Sequence, residues 1–161
     1  MSVLLTADQA AFLQGPVSMN VGAVGRDGWP CVCRAQGVLV ARDRRALTVL
    51  LSSARGHAVL DALDAGNGIS TVFSRPATHA TLQLKASGAT RTPLSAAHRA
   101  VNTRYAAMLG AELGTLGYSE TLVAGLIEML TSDDLVALRL TPEIIFDQTP
   151  GPAAGRVLAR A

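Results

Sequence analysis

Aromatic residues are scarce in this chain, at 4% of 161 residues. Charge is sparse too, at 16%, and the formal net charge is only +2, with no run of Lys and Arg. Proteins that grip nucleic acid need basic grooves, and those for single strands add aromatic stacking platforms. The two shortages therefore argue against a nucleic-acid partner. No apolar run reaches the roughly 20 residues that a membrane-spanning helix needs. The opening MSVLLTADQ lacks a basic region followed by a long apolar core, so a secretory signal is not expected and a cytoplasmic location is. Cysteine is limited to Cys31 and Cys33. Residues two apart on a strand point to the same side but lie too far apart for an easy disulfide. Two thiols without a second pair do not complete a zinc site either, so both read as packing residues in a reducing compartment.

Motifs for hard chemistry are missing as well. There is no Gly-x-Ser-x-Gly elbow, no His-Glu-x-x-His run, no Walker loop and no dinucleotide fingerprint, and His57, His79 and His98 are scattered. Demanding chemistry would have to come from a bound cofactor, with the protein supplying orientation and electrostatics. What the chain has in quantity is apolar side chains, at 49%. With so little charge for the surface, it is expected to bury a second surface against a copy of itself; the alternative is a monomer rich in Ala and Gly.

The length suits one domain. Thr6-x-x-Gln9 has the form of a capping box and opens a helix ending at Gly15-Pro16. Val17–Ala23 alternates as a strand, Arg26-Asp27-Gly28 is a hairpin turn, Trp29–Ala41 is one long strand, and Ala46–Leu51 is the third. Short turns make these an antiparallel meander. A helix from Ser52 to about Ala65 carries Val59, Leu60 and Leu63 on one stripe. Ile69–Ser74 and His79–Arg91 are the fourth and fifth strands, two helices start near Ser95 and Ser119, and Leu135–Thr141 is the last strand. From Pro150 the chain is rich in Pro, Gly and Ala and is expected to be irregular. The expected architecture is mainly β with α: a six-stranded antiparallel split β-barrel of Greek-key type with flanking helices. Residues 1–148 form the domain and 149–161 a tail.

Three places could hold a ligand. At Leu51–His57 a strand runs into a helix, whose first turn offers unpaired N–H groups and positive potential. Ser52, Ser53, Arg55 and His57 would complete a phosphate cradle there, or form an ordinary Ser-capped helix start. Arg34 sits mid-strand and must reach an anion or solvent. Thr81, Gln83 and Lys85 share one side of the fifth strand, which is either a solvent face or the wall of a groove.

The order of these segments resembles the pyridoxamine 5′-phosphate oxidase-related FMN-binding split barrels. The resemblance rests on "DGWP", the strand with an Arg, the Ser-rich turn and "THATLQLKASG", over roughly Leu5 to Arg91. The ending "IIFDQTPGPAAG" is similar to that of a subgroup of small bacterial proteins of unassigned activity. The resemblance implies a homodimer with FMN in a groove at its interface. It puts the phosphate-contacting Arg at Arg34, the Ser/Thr after the third strand at Ser52 or Ser53, and a Ser-Arg-Lys stretch near Arg55, Gly56 and His57. It puts the Gln of the fifth strand at Gln83, with Lys85 close by. Three departures stand out: Gly56-His57 occupy the usual Lys position, Ala86 stands where a Gly usually follows "QLK", and no Arg- and Trp-bearing C-terminal segment is recognisable, so vitamin B6 oxidation is not implied. The implied function is FMN binding, with flavin-dependent oxidoreductase activity on a small molecule. The alternative is a non-enzymatic split-barrel protein that binds haem, a deazaflavin or another ligand.

Overall fold

The structure, a computed structural model, describes residues 2–161; Met1, the first residue of the expected domain, lies outside them. Helix α1 (Ala7–Leu13) precedes strands β1 (Ser18–Val24), β2 (Pro30–Arg34), β3 (Val38–Val40) and β4 (Leu47–Ser52). Helix α2 (His57–Asp64) leads to β5 (Ile69–Ser74), β6 (Thr81–Ala86) and β7 (Thr90–Thr92). Helices α3 (Ala96–Thr115) and α4 (Glu120–Leu130) are followed by β8 (Leu135–Leu140), β9 (Ile144–Asp147) and β10 (Arg156–Arg160). The strands form two antiparallel sheets: six in the order β10-β9-β6-β5-β1-β2, and four in the order β3-β4-β8-β7.

Antiparallel strands with flanking helices were expected, but the count of six strands is corrected to ten. Each long strand of the sequence reading breaks where the chain leaves one sheet for the other. Trp29–Ala41 becomes β2 and β3, separated by Ala35-Gln36-Gly37, and His79–Arg91 becomes β6 and β7, separated by Ser87-Gly88-Ala89. A sharp bend lets one strand serve two sheets, which is how packed sheets make corners. Gly37 adopts φ +144°, and a Cβ there would stand 3.2 Å from Val101 Cγ1 and 3.3 Å from Leu50 Cδ1. The chain after Pro150 is also not irregular. Its Pro and Gly form a turn, and β10 then pairs with β9, with Arg156 opposite Asp147 and Arg160 opposite Ile144.

Thr6 and Gln9 make the expected capping box on α1, and Ser95 caps α3 with His98 as its reciprocal partner. Met19, Val21, Phe73, Leu84 and Ile145 project from one face of the six-stranded sheet into the core, where they join Val49, Leu51 and Leu138 of the smaller sheet. Helices α3 and α4 pack so closely that a Cβ on Gly110 would lie 2.7 Å from Ile127 Cδ1. Buried Asn102 of α3 donates to Gln36 O and to Leu130 O, both at 2.7 Å, tying the sheet-to-sheet bend to the end of α4. Among the described residues no helix is long and apolar enough to cross a membrane.

Gly37→Ala is expected to lower unfolding stability by about 1–3 kcal/mol, because it adds both a left-handed-region penalty and a steric one. Urea denaturation checks this; an unchanged midpoint would show that the bend tolerates a side chain.

Candidate functional site

Residues directly opposite each other in an antiparallel pair share a face of the sheet. The register places Arg34 opposite Asn20, Asn20 opposite Val72, Val72 opposite Gln83, and Gln83 opposite Phe146. These residues form one row across five strands, on the face turned away from the core. The next row runs Val32, Gly22, Ser70, Lys85, Ile144. Arg34, Gln83 and Lys85 therefore share one outward face. That face is not simply polar: Val32 is 72% exposed and Val24 52% exposed.

Gln83 is held at both ends of its amide. Its Nε2 donates to Ser70 Oγ at 2.8 Å, and its Oε1 accepts from Gln148 Nε2 at 2.8 Å. Lys85 Nζ lies 5.3 Å from the centre of the Phe146 ring, within cation–π range. Both residues line a groove of about 400 Å³, whose other walls include Gly22, Val24, Pro30 and Ser70. The size is within the range of small-molecule sites.

Arg34 ends β2 at the rim of the same face, where its Nη1 donates to Ser18 Oγ at 3.2 Å. Arg55, from the turn after β4, reaches toward it and donates through Nη1 to Met129 O, near the end of α4. The two guanidinium-bearing residues line one cleft of about 90 Å³ with Cys33, Gln36, Met129 and Leu130. Neither belongs to the ion pairs found among the described residues, which are Arg75–Glu112, Arg91–Asp64 and Arg156–Asp147. Two cations lining one cleft without a carboxylate partner are the kind of pair that can take an anion. Burial, and then the neighbouring Cys31, push the Cys33 thiol up to about 11, so this wall is a neutral thiol rather than a nucleophile. The Tyr105 hydroxyl is buried beside the Arg34 guanidinium; burial pushes it up to about 12, with the guanidinium pulling the other way.

The expected phosphate cradle has a different structure. Helix α2 begins at His57 rather than at Ser52; its N-cap is Gly56, which makes no side-chain cap. Ser52 is the last residue of β4 and is 4% exposed. The Ser52 and Ser53 hydroxyls donate to Asp134 Oδ2 at 2.8 and 3.1 Å, and the Ala54 N–H donates to the same oxygen at 2.9 Å. Ser52 Oγ also accepts the Arg55 N–H at 3.2 Å. The donors expected for a ligand anion are thus committed to an anion of the chain itself. The Ala54 N–H, followed by the Ser52 hydroxyl, holds the Asp134 carboxyl well below the usual carboxylate range. His57 is exposed, with Nδ1 3.0 Å from Ala54 O.

An FMN phosphate therefore meets a divided donor set. Arg34 and Arg55 fit it, whereas Ser52 and Ser53 do not. Among the described residues, no group of three or more His, Cys, Asp or Glu side chains is placed to hold a metal ion. Sequence reasoning missed Asp134 and Met129. The polar stretch Thr131–Asp134 signals a loop, but nothing local says that its last carboxylate returns to a turn about 80 residues earlier.

No family model and no curated protein matches this sequence. Solved structures do match. HupZ from Group A Streptococcus superposes with a TM-score of 0.57 at 12% identity, over 94% of this chain and 100% of that one. A pyridoxamine 5′-phosphate oxidase-like protein from Lactobacillus delbrueckii gives 0.55 at 15% identity, over 89% and 93%. HutZ, the heme storage protein from Vibrio cholerae, gives 0.50 at 19%, over 90% and 95%. The chain has the split-barrel fold of the pyridoxamine 5′-phosphate oxidase-like proteins.

Asp134 titrates in the unfolded chain near 3.9 and lower in the folded one, so its stabilising effect is full above that value and is lost as pH falls through and below it. Asp134→Asn should flatten this part of the acid slope between about pH 4 and 2. Urea midpoints measured against pH test it; parallel slopes for the two proteins would contradict the assignment.

Proposed function

We propose that this chain binds FMN on the outward face of its six-stranded sheet and works as a flavin-dependent oxidoreductase on a small molecule. The observation that carries the reading is the shared row. Arg34 and Gln83 face the same way, three strand spacings apart, which is roughly 14 Å at about 4.8 Å per strand. A mononucleotide laid along that row would keep its phosphate at the Arg34–Arg55 cleft and its remainder toward Gln83 and Lys85. Bound flavin would supply the redox chemistry that the chain's own side chains lack. Arg34 and Arg55 neutralise the phosphate, and the twice-anchored Gln83 amide and the Lys85 ammonium orient what lies beyond it. Ser52 and Ser53 act through the turn they hold, which aims Arg55, and His57 stands beside that turn. The exposed Val24 and Val32 favour a homodimer in which a second copy covers this face and closes the cofactor groove.

A second reading keeps the fold and drops FMN: a non-enzymatic binding protein for haem, a deazaflavin or another ligand. It is favoured by the Asp134 carboxylate, which uses the Ser52 and Ser53 protons that a phosphate would need.

Protein reconstituted with FMN is expected to show the two broad visible bands of a flavin, and Arg34→Ala to weaken FMN binding at least tenfold, which is about 1.4 kcal/mol. Fluorescence titration measures the loss; unchanged affinity would remove Arg34 from the site. A single intense haem band after haem addition, with no flavin uptake, would favour the second reading. In sedimentation, Val32→Asp should turn the dimer into a monomer, and a variant that remains dimeric would place the interface elsewhere.

A further inference from the structure

One oxygen of Asp134 takes two hydroxyls and a backbone N–H from the Ser52–Ala54 turn, and its backbone carbonyl takes the Ser53 N–H at 2.9 Å. Hydroxyls and main-chain N–H groups converging on one point are the donors a phosphate oxygen takes at a tight turn. The loop that carries Asp134 is also tied to the wall of the arginine cleft. Ser132 Oγ donates to Gln36 Oε1 at 2.8 Å, Gln36 Nε2 donates to Met129 O at 3.2 Å, and Arg55 donates to that same carbonyl. Ser52 Oγ joins the two regions, donating to Asp134 while accepting the Arg55 N–H.

We propose that Asp134 is a specificity-determining residue: its carboxylate takes the place of a ligand phosphate at the Ser52–Ala54 turn, so that the neighbouring cleft grips an anion through Arg34 and Arg55 alone. The Ser52 and Ser53 hydroxyls and the Ala54 N–H are engaged by Asp134, so a phosphate at the cleft finds none of them free. A phosphate dianion entering the turn would also meet the Asp134 carboxylate there and be repelled by it. The wild-type protein therefore holds a phosphate through the two guanidinium groups and not through the turn. The inference rests on the reading of the Arg34–Arg55 cleft as an anion site, and it makes the grip on a flavin phosphate weaker than the fold would otherwise allow.

The test titrates inorganic phosphate into the full-length wild type, Asp134→Ala and Asp134→Asn, following phosphorus NMR and thermal unfolding. Asp134→Ala is expected to bind phosphate at least tenfold more tightly than the wild type. It should also lose thermal stability in phosphate-free buffer and regain it at phosphate concentrations that leave the wild type unchanged. Should Asp134→Ala fail to fold without phosphate, Asp134→Asn, which keeps an acceptor but no charge, is expected to show the gain severalfold. Phosphate affinity no higher than wild type in both variants overturns the inference. In the Asp134→Ala/Arg34→Ala double variant the gain should vanish. A gain that survives there contradicts the arginine-cleft reading while leaving the exclusion of phosphate by Asp134 standing, so the two fail separately.

Discussion

The chain must pass from one sheet to the other at Gln36-Gly37, and it must do so inside the protein. A buried bend is costly unless its polar groups find partners. Here Gln36 N–H donates to Leu50 O, Leu50 N–H donates to Gly37 O, and Gln36 O accepts from Asn102. The Gln36 side chain donates to Met129 O and accepts from Ser132. The bend thus ends β2 at Arg34, seats the end of α4 and draws in the loop that carries Asp134. The arginine cleft is a by-product of satisfying that bend.

The electrostatics follow from this placement. Arg34 stands at the rim of the outward face, and Arg55 arrives from the opposite sheet by the turn that Asp134 holds. One turn therefore does two opposed things. It delivers a cation to the cleft, and it fixes a carboxylate close by. The two cations and the carboxylate come from three segments far apart in the chain.

The elements fixed by local chemistry were legible. The Thr6–Gln9 capping box, the helix starts near Ser95 and Ser119, the Ile69–Ser74 strand and the Gly28 turn stand where their residues indicate. The outward placement of Gln83 and Lys85 followed from alternation alone, though alternation left open whether they met solvent or a groove. The breaks in the two long strands were hidden because Ala35-Gln36-Gly37 and Ser87-Gly88-Ala89 interrupt an apolar pattern only briefly, and the change of sheet is a tertiary event. The β10 strand was masked by the Pro and Gly before it, which report the turn and not the free β9 edge that recruits Arg156–Arg160. The Ser-rich turn was singled out as a phosphate cradle, but a sequence cannot show that the chain's own carboxylate takes up its donors. That takes the pairing of β4 with β8, which sets Ser52 opposite Leu135 and so brings Asp134 within reach.

A fold shared with pyridoxamine 5′-phosphate oxidase-like proteins and with the heme storage protein HutZ does not choose a ligand. The choice rests on the two guanidinium groups that face the cleft. A crystal structure of the protein soaked with FMN addresses them most directly. The account predicts the phosphate between Arg34 and Arg55, with the ring system lying along the outward face toward Gln83. A phosphate bound elsewhere, or an empty cleft in protein that has taken up the flavin, would contradict it.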